Sequence, residues 1–215
     1  MFIGHFALGF AAKRVVPRVS LAYLLLAPAF LDVLWPLFLA AGIEEVRIDP
    51  GNTPVTPFDF VSYPWSHSLA MAVAWALVWY VVARERRAGI VLGALVVSHW
   101  VLDWFTHRPD MPIWPGSPRV GLGLWYSLPA TVAVEVAMYA AGVALYLGAT
   151  RARDRIGVFA LAALLVVQLG SYAASLLGPP PPSVGAIEIT ATLASALFFA
   201  WGAWIERHRE NVVPG

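Results

Sequence analysis

The sequence predicts an all-α fold, a polytopic membrane bundle of about six transmembrane helices with a short N-terminal helix in front of them. Three observations predict it. Of the 215 residues, 60% are hydrophobic and 13% charged, with a mean hydropathy of +0.71, whereas a soluble domain is about 45–50% apolar and about 25% charged. Apolar runs of spanning length recur along the whole chain. Arginine-rich clusters punctuate those runs at alternate ends.

The same composition bounds function. There is no cysteine, which excludes disulfides, thiolate metal ligands and cysteine nucleophiles. A net charge of +1 with no long basic tract gives no reason to expect a nucleic-acid partner; the expected partner is the lipid bilayer. Residues 1–215 read as one domain, with a polar, site-bearing half over 1–120 and supporting helices over 121–205.

The elements follow in order. Met1 to Ala12 is apolar, too short to span, and lacks the basic start and cleavage site of a signal peptide, so it reads as a short helix of the mature protein. Ser20 to Ile43 is the first span, bent beside Asp32 by Pro28 and Pro36. Glu44 to Ser66 is a polar, proline-rich connection whose Phe58, Phe60, Tyr63 and Trp65 suit an interfacial aromatic belt. His67 to Ala83 is the second span and Ile90 to His107 the third. A loop with four prolines, Arg108 to Arg119, then leads to the fourth, Gly121 to Leu147. Ile156 to Leu177 and Val184 to Ile205 are the fifth and sixth. Trp35, Trp65, Trp100, Trp104 and Trp114 read as lipid-facing or belt residues. Gathering the clusters at 13–18, 84–87, 151–155 and 207–209 on one side collects 11 of the 14 Lys and Arg. The positive-inside rule makes that side cytoplasmic, with both termini on it and the protein in a bacterial-type inner membrane.

Against this apolar background a few residues stand out. His99, Asp103 and His107 recur every four residues, so one helix face carries all three. A charged group at the middle of a span costs about 2.5–3.5 kcal/mol and by default marks a functional site. Counting 1.5 Å per residue from the basic boundaries brings His5, Asp32, His99 and Asp103 to comparable depths, about 12–20 Å, and His67 joins them if its span enters at a tilt. Imidazoles and carboxylates are what zinc takes when thiolates are absent. Asp32, His67, His99 and Asp103, with His5, are therefore the expected ligands of a divalent ion such as Zn2+. His99 and His107 lie about 12 Å apart along the helix axis and cannot hold the same ion. His107 is thus left for a second ion, for substrate binding or for the outer shell; with Asp110 it is a candidate for a second ion or for proton transfer, and one or two ions are expected. Ser68, Ser98 and Thr106 are placed to orient the ligands. Glu135 and Glu188 are weaker candidates.

The ordered set His5, Asp32, Trp65-Ser-His67-Ser68, His99-Trp-Val-Leu-Asp103-Trp-Phe-Thr-His107 resembles the YdjM-like family of bacterial inner-membrane proteins, regarded as metal-dependent hydrolases. The order is also similar to that of the zinc-dependent phospholipase C and P1-nuclease group, soluble helical enzymes that cleave phosphoesters. That similarity implies one zinc on Asp32, His67, His99 and Asp103, a second shared by Asp103 with His5, and a role for His107 at another. The soluble group also uses a late His-x-x-x-Glu pair, and none follows His107. The expected function is a membrane-embedded metal-dependent hydrolase of a phosphoester or lipid-like amphiphile, with Arg108 and Arg119 meeting an anionic head group. The competing class is non-enzymatic: a metal or proton transporter, or a scaffold whose buried His and Asp only lock helices together.

Overall fold

The structure is a computed structural model that describes residues 1–213. Its helices are α1 (Ile3–Ala12), α2 (Leu21–Leu26), α3 (Phe30–Ala40), α4 (Pro64–His67), α5 (Leu69–Val82), α6 (Arg86–Thr106), α7 (Leu128–Ala149), α8 (Arg155–Leu177) and α9 (Val184–Arg207). Among the described residues three small antiparallel two-stranded sheets pair β1 (Glu45–Ile48) with β2 (Phe58–Ser62), β3 (Met111–Pro112) with β4 (Arg119–Val120), and β5 (Thr150–Ala152) with β6 (Arg209–Asn211).

Local chemistry sets the starts of these helices. Ser68, Ser127, Ser183 and Asp154 each accept a hydrogen bond from a backbone N–H two or three residues inside α5, α7, α9 and α8, and Glu85 accepts two at the start of α6. Such caps satisfy donors that a helix leaves orphaned at its N-terminus. Four helices, α6 to α9, are long and apolar enough to cross a membrane, while α1, α3 and α5 are shorter apolar helices. Val166, Leu177, Ile189, Leu193 and Leu197 stay exposed on α8 and α9, as expected of faces turned to lipid.

Two expected spans take a different form. Ser20 to Ile43 is not one bent helix but two, α2 and α3, broken at Ala27–Ala29 around Pro28. Proline has no N–H to donate and crowds the preceding turn, so the helix stops there; Pro36 is tolerated inside α3. The second span is a single turn, α4, then the 14-residue α5, with Ser68 in extended conformation between them. The tryptophan reading also changes. Trp35 and Trp100 are buried, and Trp100 Nε1 donates to the Pro112 carbonyl (3.1 Å). Phe60 and Tyr63 are buried as well and do not form an outer belt, because the β1–β2 hairpin folds back over the bundle end.

Packing puts α1 at the centre. It lies along α7, with the closest approach at Gly142, where a Cβ would overlap the Ala7 carbonyl. Helices α2 and α3 lean on α9, and α5 on α6. At one end of the bundle the Lys13 ammonium bonds Glu206 (2.6 Å), Asn211 donates to the Pro17 carbonyl, and the β5–β6 pair joins the two chain stretches beside them. The basic stretches 13–18, 151–155 and 207–209 therefore share one end of the molecule.

Candidate metal centre

Four separate elements each deliver one or more polar side chains to the same interior point. Helix α6 contributes His99 and Asp103 one turn apart and ends at His107, its C-cap residue. The single turn α4 ends on His67, α3 carries Asp32 in its first turn, and α1 carries His5. His5, His67, His99, Asp103, His107 and Asp110 are all buried.

The contacts centre on Asp103. Its Oδ2 lies 3.0 Å from His99 Nε2, 3.8 Å from His107 Nε2 and 3.9 Å from His67 Nε2. Its Oδ1 lies 3.1 Å from His5 Nε2 and 2.5 Å from the Met1 nitrogen. The Nε2 atoms of His67 and His99 face each other at 3.2 Å, with Asp32 Oδ1 3.4 Å from the first and 3.8 Å from the second. Two groups result, Asp32/His67/His99 and His5/His99/Asp103, each with ligand atoms within 4.8 Å of one another.

These spacings test the fit of a metal. Ligand bonds of about 2.0–2.1 Å in a tetrahedral array set neighbouring donor atoms about 3.3 Å apart. The five distances that link His67, His99, Asp32 Oδ1 and Asp103 Oδ2 fall at 3.0–3.9 Å. Imidazoles and carboxylates are donors that a zinc-type ion accepts, so each of the two groups, with Asp32 in one and Asp103 in the other, fits such an ion.

Access and support are equally specific. Asp32 keeps 46% of its side chain accessible while the side chains of His5, His67, His99, Asp103 and His107 keep 0–4%. Asp32 is thus the most accessible of these side chains, and the cluster reaches the surface on its side. His99 Nδ1 donates to the Pro28 carbonyl (2.7 Å), at the break between α2 and α3. His67 Nδ1 is 2.7 Å from Ser66 Oγ, which in turn bonds Glu44 Oε2 (2.6 Å). His107 Nδ1 is 3.0 Å from Asp110 Oδ1. The Tyr63 hydroxyl donates to that same oxygen (3.1 Å), and Arg108 Nε donates to Asp110 Oδ2 (3.1 Å). Burial, and then the neighbouring Asp110 carboxylate, push the Tyr63 phenol well above its ordinary pKa. His5 stacks on His99 with ring centroids 3.8 Å apart, and its Nδ1 is buried without a hydrogen-bond partner among the described residues. The Phe2 and Gly4 N–H groups donate to the buried Glu135 (2.8 and 3.1 Å), which anchors the start of α1 and with it His5.

Five of the seven expected site residues, His5, Asp32, His67, His99 and Asp103, fall in the two groups, His107 and Asp110 form a pair beside them, and the supporting residues are largely different from those expected. Ser68 caps α5, Ser98 bonds the Leu95 carbonyl, and Thr106 bonds backbone carbonyls of its own helix. None of the three orients a ligand imidazole; Ser66 does. Arg108 is held by Asp110, Asn52 and Asp59, and Arg119 by the Phe60 and Val61 carbonyls, so both staple the hairpin over the site rather than await an anion. Glu44 gives no signal in the sequence beyond being a polar residue in a polar connection, and Ser66, although inside the Trp65-Ser-His67-Ser68 stretch, gives none that marks it as the partner of His67.

Comparison with known proteins identifies the family. The family model described as YdjM inner membrane protein matches residues 1–177, and the chain belongs to that family. No curated protein and no solved structure matched the chain.

Proposed function

We propose that this member of the YdjM inner membrane family is a metal-dependent hydrolase that acts on a phosphoester or lipid-like amphiphile. The observation that carries the reading is the convergence of His67 and His99 Nε2 with Asp32 and Asp103 at 3.0–3.9 Å inside an apolar bundle. Asp32, His67, His99 and Asp103 would hold a zinc-type ion, and His5 would share Asp103 through its other oxygen. When bound, such an ion supplies Lewis acidity and makes water nucleophilic at neutral pH.

The chain's own residues divide the remaining work. His107, with Nδ1 against Asp110, presents Nε2 toward Asp103 and is the group placed to move a proton. Arg108 neutralises Asp110 and holds it in place. Substrate would approach from the accessible Asp32 side, which lies beside apolar helices and suits an amphiphile. In the membrane, α2–α3 and α5 would complete a six-span arrangement with α6 to α9. The end that gathers the basic stretches would be cytoplasmic and the site would lie toward the opposite end of α6.

Elemental analysis of detergent-purified protein, followed by hydrolysis assays on phosphodiester and phospholipid substrates with and without chelator, tests this. One or two tightly held ions per chain, with hydrolysis lost to chelator and restored by zinc, is the expected result. Protein that holds no ion overturns it. So does an ion that exchanges freely together with Asp32-dependent flux into liposomes, which would make the protein a carrier.

A further inference from the structure

Glu44 is none of the proposed ligands or proton-transfer groups, yet it is buried at 6% exposure in a membrane protein. Gly42, with φ at +66°, ends α3 by turning the chain sharply, and the Ile43 and Glu44 N–H groups both donate to the Phe38 carbonyl. That turn aims Glu44 at the single helical turn that ends on His67. Oε1 accepts from the Trp65 and Ser66 backbone N–H groups, each at 2.8 Å. Oε2 accepts from the Ser66 hydroxyl at 2.6 Å.

We propose that Glu44 decides which ring nitrogen of His67 carries the proton, and so makes Nε2 free to ligate. The inference rests on the metal reading above. A carboxylate accepts hydrogen bonds and does not donate them, and a serine hydroxyl has a single proton to give. With that proton committed to Glu44, Ser66 Oγ has only lone pairs to offer His67. The His67 ring must then donate from Nδ1, 2.7 Å away, which leaves a bare Nε2 facing His99 and Asp32. Glu44 acts as a positioning residue through Ser66 and touches neither ion nor substrate. It also ties the end of α3, whose first turn carries Asp32, to the turn that carries His67, so one carboxylate sets two ligand-bearing elements against each other.

The substitution Glu44→Gln separates this from a plain capping role. Two backbone N–H groups fix the amide oxygen at the Oε1 position, so the amide nitrogen must replace Oε2 and donate to Ser66. The Ser66 proton then turns to His67 Nδ1 and the ring proton moves to Nε2. Shape is preserved and polarity is reversed. The expected result is a 10- to 100-fold loss of zinc affinity, the usual scale for a residue behind a ligand. In metal-free protein, the histidine nitrogen NMR shifts of His67 should switch from the Nδ1–H to the Nε2–H form. Ser66→Ala keeps both backbone caps, breaks the relay, and should weaken zinc binding by a similar factor; it carries the test if Glu44→Gln does not fold. Zinc affinity within about twofold of the parent in either folded variant overturns the proposal, as does a parent protein whose His67 already carries its proton on Nε2. If the parent takes up no zinc, the metal reading fails by itself, and the NMR shifts still decide the role of Glu44.

Discussion

Asp103→Asn is the perturbation with the clearest arithmetic. One carboxylate stands between His5 on Oδ1 and His99, His107 and His67 on Oδ2, at 3.0–3.9 Å. The amide keeps the volume, removes the charge and turns one acceptor into a donor. Zinc-type sites bind with about 10–16 kcal/mol, so each of four ligands accounts for about 3 kcal/mol, or about a hundredfold in affinity. Free zinc at about a hundred times the parent dissociation constant stabilises the parent by about 2.7 kcal/mol, and by the same relation stabilises the variant by only about 0.4 kcal/mol. For a chain of this size that means a rise in melting temperature of roughly 5–10 °C for the parent and roughly 1 °C for the variant. Thermal unfolding in detergent across a zinc titration, with metal content measured after dialysis, provides the assay. If Asp103 only locks helices, the variant loses about 3–5 kcal/mol of stability from a broken buried ion pair, and zinc shifts both proteins equally. Equal shifts, with equal metal content, would refute the reasoning.

Three other outcomes are expected. Gly142→Val should drive α1 away from α7, since a Cβ there meets the Ala7 carbonyl, and cost about 1–3 kcal/mol of stability; an unchanged melting temperature would contradict this helix contact. Glu135→Ala leaves the Phe2 and Gly4 N–H groups unpaired in the interior, at about 1–3 kcal/mol each, so amide exchange at the start of α1 should accelerate. Tyr63, held protonated by burial and by Asp110, has a folded-state pKa above its unfolded value near 10. Its contribution to stability is therefore complete below that pH and is lost as the pH rises from there through the raised value. Tyrosinate absorbance followed against pH should show one fewer late-ionising tyrosine in Tyr63→Phe than in the parent.

Part of this protein is legible without coordinates. His5, Asp32, His67, His99 and Asp103 stand out because imidazoles and carboxylates inside apolar runs are costly, and a chain keeps them only where they meet partners. The same logic misses Glu44 and Ser66, because polar residues in a polar connection are cheap wherever they point. It misreads Trp35 and Trp100 because an indole is equally at home against lipid or against protein. Arg108 and Arg119 look like free cations until the carboxylates and carbonyls that hold them are located in space.

Residue chemistry by itself points to a helical membrane protein whose imidazoles and carboxylates, costly inside apolar runs, need one another. The tertiary structure decides how that need is met. The break at Pro28 supplies a carbonyl to His99, the turn at Gly42 brings Glu44 to Ser66, and the hairpin folds Tyr63 and Arg108 over Asp110. These choices depend on distances between residues far apart in the chain, and neither spacing nor hydropathy encodes a distance of that kind.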